Sequence, residues 1–90
     1  MSQIEARIAE LGLEVPATSK PVAAYLPAVI SGDLVFTSGQ LPMTDGVLPA
    51  TGKVGAEVDA DAAKHYARQC VLNGLAAARS AIGSLDRITR

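Results

Sequence analysis

Ninety residues make one small domain, and a chain of this size buries only about 60–65% of its unfolded surface, so it is marginal unless it associates. Eight Lys and Arg oppose nine Asp and Glu with neither sign clustered, and the only aromatics are Tyr25, Phe36 and Tyr66, which gives nucleic acid little to hold. No apolar run approaches the ~18 residues of a membrane span, the N-terminus carries Glu5, Arg7 and Glu10 where a secretory signal would be apolar, and Cys70 has no disulfide partner, so a cytoplasmic location is expected.

Ser2 and Glu5 have the spacing of a capping box. Ile4, Ile8 and Leu11 follow at helical intervals, and Gly12 suits the position after a helix end, so the pattern predicts a helix over residues 3–11. Residues 14–21 hold Pro16, Pro21 and small polar residues, and predict an extended connector. Residues 25–30 read as a strand, with Pro27 marking an edge or a bulge. Ser31-Gly32-Asp33 is turn chemistry, and residues 34–37 complete a hairpin. Leu34, Val35 and Phe36 are consecutive apolar residues, which predicts a strand covered on both faces. The expected covers are a helix on one side and a neighbouring subunit or sheet on the other.

Residues 42–58 form a long Gly- and Pro-rich loop, with a turn at Thr44-Asp45-Gly46 and room for a short strand near residues 46–48. Asp59 or Asp61 caps a long helix placed at residues 60–82 and ended by Gly83. Ala63, Ala67, Val71, Leu75, Ala78 and Ile82 define its expected buried stripe, with Lys64, Arg68 and Arg79 away from it. Gly74 in mid-helix costs roughly 1 kcal/mol relative to alanine and suggests close packing. Residues 85–90 read as the start of a further strand. The expected domain division is 1–19 for the N-terminal helix and connector and 20–90 for the domain itself.

The most informative stretch is the end of the second strand, Leu34-Val35-Phe36-Thr37-Ser38-Gly39-Gln40-Leu41-Pro42. It runs from apolar residues into a polar corner stopped by proline. A hydroxyl, a flexible backbone and a carboxamide meet there, as they do where small polar ligands are held.

Four segments resemble the Rid family of reactive-intermediate deaminases, also called YjgF-like or endoribonuclease L-PSP-like. These are Lys20-Pro21-Val22-Ala23-Ala24-Tyr25, Ser31-Gly32-Asp33-Leu34-Val35-Phe36, Thr37-Ser38-Gly39-Gln40-Leu41-Pro42, and the run from Ala67 through Asn73 to Ile88. The resemblance covers about residues 20–90. The helix before it is similar to an extension found in a longer-tailed branch of the family.

The resemblance implies an α+β, chorismate-mutase-like fold, a mixed sheet backed by helices, here cut short after the first long helix. It implies homotrimers with sites between subunits, and hydrolysis of enamine and imine acids to 2-keto acids and ammonia. No cofactor or metal is expected. Family members are longer, and their second half supplies an arginine that grips the substrate carboxylate and a glutamate that positions water. Neither is present here, and Arg87 and Arg90 fall in the wrong segment. This chain resembles the N-terminal half of such a protein, so the expectation is a chain deficient in turnover by itself. A non-catalytic trimer holding small carboxylates is the alternative, and the endoribonuclease activity that the family's name carries ranks below both.

Substrate-binding roles follow from the resemblance for Tyr25, Ser38 and Gly39, with no catalytic residue assigned. Each also has a plainer reading. Ser38 would be a polar wall of the pocket, or a turn hydroxyl satisfying nearby backbone. Gly39 would let backbone approach a ligand, or supply a positive φ. Tyr25 would stand at the pocket mouth against a neighbouring subunit, or be half-buried with its hydroxyl in water. Gln40 is expected to brace the corner. His65 has no partner at ligand spacing and reads as solvent-facing. Cys70 reads as a small core residue. Gly46, Gly52 and Gly55 do not make a phosphate loop.

Overall fold

The computed structural model describes residues 2–18 and 25–90. The expected approach to the first strand at residues 20–24, and the end of the connector, lie outside them.

Helix α1 spans Gln3–Glu10. The Ser2 hydroxyl oxygen accepts from the Glu5 N–H at 3.1 Å, as half of a capping box would require. The Glu5 carboxylate does not complete the box; it pairs instead with Arg79. The helix closes in a Schellman arrangement, Gly12 (φ 76) donating to the Ala9 carbonyl and Leu13 to that of Ile8.

Strand β1 covers Ala28–Ser31 and strand β2 covers Leu34–Thr37, paired antiparallel with Val29 opposite Phe36 and Ile30 opposite Val35. β1 therefore starts three residues later than the sequence suggests. Pro27 has no N–H to give, and only its carbonyl continues the ladder, accepting from the Ser38 N–H at 3.0 Å. The hairpin turns at Gly32-Asp33 with φ positive only at Gly32, the requirement of a type II′ turn.

Helix α2 spans Ala60–Ile82. Asp59, not Asp61, is its cap, its carboxylate accepting from the Ala62 N–H at 2.7 Å. Gly83 ends it at φ 85, donating to the Arg79 carbonyl. The helix packs against both strands. Its buried residues are Leu72, Asn73, Ala76, Ala77 and Ala78. The expected stripe is thus rotated: Ala78 belongs to it, but Ala67 is exposed and Val71 is 63% exposed. The reason is Asn73, a polar side chain that the loop after β2 draws inside. Arg79 also departs from expectation, being half-buried and paired rather than turned away.

Residues 85–90 do not begin a strand. Leu85–Arg87 form one 3-10 turn, with the Ser84 hydroxyl oxygen accepting from the Asp86 N–H at 3.2 Å. Leu85 is wholly buried and anchors that turn to the end of α2. In the long loop, Thr44 and Val47 exchange both backbone hydrogen bonds around Asp45 (φ 52) and Gly46 (φ 78). That is a type I′ turn with a single bridge, not a strand at residues 46–48.

The second cover expected for β2 is not supplied by the described residues. Alternation along the hairpin puts Val29, Leu34 and Phe36 on one face, and they are 46%, 62% and 53% exposed. On the other face Ala28 and Val35 are half-buried, while Ile30 is 52% exposed and Thr37 is exposed.

Candidate functional site

The corner after β2 is assembled by its own backbone and by Gln40. The Ser38 N–H extends the hairpin ladder onto Pro27, and the Ser38 hydroxyl makes a long 3.5 Å contact with the same carbonyl. The Gln40 carboxamide nitrogen then donates to the Ser38 carbonyl at 3.2 Å and to the Ser38 hydroxyl oxygen at 3.3 Å. Gln40 braces the corner, as its position suggested. Its other flank rests on α2, where the Gln40 Cγ would lie 3.9 Å from a Cβ placed on Gly74.

Ser38 is half-buried with its hydroxyl oxygen held in place. Gly39 is exposed, with open space around its α-carbon. Its φ is not in the left-handed region, so the corner does not need glycine for conformational freedom. Tyr25 is 42% exposed and stands two residues before Pro27, within about 7 Å of chain reach. The hairpin ladder joins Ser38 to Pro27, two residues after Tyr25. Among the described residues, no Lys or Arg hydrogen-bonds to Ser38, Gly39 or Gln40. Arg7 pairs with Glu10, Arg79 with Glu5, and Arg87 donates to the Ile82 carbonyl.

Below the corner the chain is tied to α2 by Asn73. Its side-chain nitrogen donates to the Leu41 carbonyl at 2.9 Å and to the Met43 carbonyl at 3.0 Å, while its oxygen accepts from Gln69 at 3.0 Å. The three bonds account for a side chain only 5% exposed. Periodicity alone missed this residue; a lone asparagine between Leu72 and Gly74 in an apolar stretch was the available signal. His65 is exposed, as expected, and Cys70 is half-buried rather than in the core. Among the described residues no group of three His, Cys, Asp or Glu gathers in metal-binding geometry, and no helix is long and apolar enough to cross a membrane.

A cleft of about 760 Å³ lies between residues 12–18 and residues 43–46, with Gln69, Leu72 and Asn73 on its floor. Tyr25, Ser38 and Gly39 do not line it. It is separate from the corner.

Comparison with known proteins fits this geometry. The family model described as "YjgF/chorismate_mutase-like, putative endoribonuclease" matches residues 5–90. The chain belongs to the YjgF/chorismate mutase-like (Rid) family. A crystal structure of a "putative endoribonuclease" from Shewanella oneidensis superposes with a TM-score of 0.91 at 32% identity, over 99% of this chain and 59% of that one. The crystal structure of Atu1372 from Agrobacterium tumefaciens, described as of unknown function, gives 0.82 at 42% identity over 97% of this chain and 52% of that one. Protein TCP17 of Trypanosoma cruzi is 34% identical over 88 residues, 98% of this chain and 55% of its own length. The chain thus spans little more than half the length of the relatives it matches, and its α+β fold matches part of the two crystal structures.

Proposed function

We propose that Tyr25, Ser38 and Gly39 form one wall of a site for small 2-imino and 2-keto carboxylates, and that the complete family fold hydrolyses the imines. The observation that carries this reading is the corner itself. Gly39 occupies a position where neither backbone angle nor space requires glycine, next to a hydroxyl fixed by Gln40. A residue without a side chain there lets a ligand reach the main chain.

An imine carbon is already electrophilic, so the reaction makes few covalent demands. Water adds to the C=N carbon, a proton goes to nitrogen, and the carbinolamine collapses to the 2-keto acid with loss of ammonia. The Ser38 hydroxyl would orient the ligand or the attacking water. The cation for the carboxylate would come from a segment or subunit other than the corner. Assembly into a homotrimer would bring such groups in, and the bare face of Val29, Leu34 and Phe36 supports association.

A second reading is a module that binds small carboxylates at the same wall without turnover, its cation likewise supplied from outside residues 38–40. A coupled assay separates the two. A pyridoxal-phosphate-dependent dehydratase generates the imine, and its decay and the release of ammonia are followed with and without the chain. Turnover supports the hydrolase. Binding of 2-ketobutyrate, seen as amide shifts at residues 38–40 without faster ammonia release, supports the binding module. Shifts confined to the cleft at residues 43–46 would sink both. The endoribonuclease reading has less support, because a net charge of −1 and three aromatics offer RNA little.

A further inference from the structure

Among the described residues, residues 2–18 are held to the rest of the chain mainly by polar contacts. Helix α1 has no buried residue, and Ile4 and Leu11 are 41% and 59% exposed. Ile8, Leu13, Val15 and Pro16 are only half-buried.

The polar attachments converge on two residues. The Asp86 carboxylate accepts from the Gln3 N–H at 2.9 Å and from the Ile4 N–H at 3.0 Å, so it caps α1 from a segment more than eighty positions away. Arg79 bonds the Glu5 carboxylate at 3.0 Å with one nitrogen and the Pro16 carbonyl at 3.1 Å with the other. Arg79 therefore grips both the helix and the connector that follows it. The Thr18 hydroxyl adds a bond to the Ala76 carbonyl at 3.3 Å. The connector so held is one wall of the cleft whose floor is Leu72 and Asn73.

We propose that residues 2–18 are a strap that lifts from α2 as a unit, with Asp86 and Arg79 as its clasp, and that lifting opens the cleft facing residues 43–46. Segments with few buried apolar contacts open locally, at lower free energy than the core they lie on. The strap has that character and the floor beneath it does not, since Leu72, Asn73, Ala76 and Ala77 are all buried.

Amide hydrogen exchange tests the strap. In the unmodified chain, amides of residues 5–13 are expected to exchange faster than those of residues 72–78, with one shared urea dependence that is smaller than that of residues 72–78. Asp86→Ala and Arg79→Ala should each raise strap exchange by about tenfold or more while leaving residues 72–78 protected. Peroxide oxidation of Met43, which lines the cleft, should quicken in the same variants. Strap and α2 amides exchanging in step, with the same urea dependence, would overturn the proposal. So would clasp variants with unchanged strap exchange, or faster strap exchange with Met43 oxidised at its original rate. The urea series on the unmodified chain decides the matter even where a variant fails to fold.

Discussion

The Gln40 carboxamide nitrogen lies 3.3 Å from the Ser38 hydroxyl oxygen and 3.2 Å from the Ser38 carbonyl oxygen. One side chain thus holds two polar groups of Ser38, next to the exposed Gly39 main chain. Gln40→Ala should cost about 1 kcal/mol in chemical denaturation, the usual net value of such bonds. It should weaken any binding of 2-ketobutyrate by more than that loss explains. Gly39→Ala provides the contrast: with open space and an ordinary φ it should leave stability unchanged within a few tenths of a kcal/mol. If Gly39→Ala also leaves binding unchanged, the corner is not a ligand wall.

Asn73 should be the most sensitive polar residue of α2. Asn73→Ala leaves the Leu41 and Met43 carbonyls without their shared donor in a buried setting. The expected loss is about 2 kcal/mol, read from urea midpoints at constant slope. Asn73→Asp should be no better, because a carboxylate cannot donate to two carbonyls.

Two glycines should respond to alanine with opposite signs. At Gly74 the added methyl meets only Gln40 Cγ at 3.9 Å, ordinary contact, so the helix gains the difference in propensity. Gly74→Ala should stabilise by about 0.5–1 kcal/mol. At Gly52 (φ 131) the new carbon would lie 2.5 Å from Glu57 Cβ, and Glu57 also accepts from the Lys53 N–H. Gly52→Ala should destabilise, seen as a lower midpoint in thermal melting.

Acid should release α1 before it unfolds α2. The backbone bonds from Gln3 and then Ile4 hold the Asp86 carboxyl below its ordinary value of 3.8. A carboxyl lowered in the folded state contributes stability above that ordinary value and loses it as pH falls through the lowered one. Strap protection, judged by the observed rate relative to that of an unstructured peptide at the same pH, should therefore fall below about pH 4. Asp86→Asn, which keeps an acceptor but cannot titrate in this range, should remove the step. A step of equal size in that variant would assign it elsewhere.

Local chemistry made much of this fold readable. Gly12, Gly32, Asp59 and Gly83 set the ends and turns at their expected places, because caps and turns depend on residues within a few positions. The bracing of Ser38 by Gln40 was readable for the same reason, although residues 38–43 make no turn or bend. What escaped was long-range. Asn73 is buried because the carbonyls of Leu41 and Met43, thirty positions away, need a donor. Arg79 is drawn inward by Glu5 and Pro16. Asp86 sits in a 3-10 turn rather than a strand, where its carboxylate reaches the start of α1. Periodicity ranks side chains by polarity and so rotated the buried face of α2. Whether a polar side chain finds a partner across the fold is invisible to it.

Association through the open side of the hairpin would make heat resistance a matter of concentration. Three large apolar side chains in contact with water gain by meeting their like, and association that favours the folded form raises the melting midpoint as protein is added. A dilute sample and a concentrated one should melt at different temperatures, and an apolar-to-charged replacement at Phe36 should bring the two together.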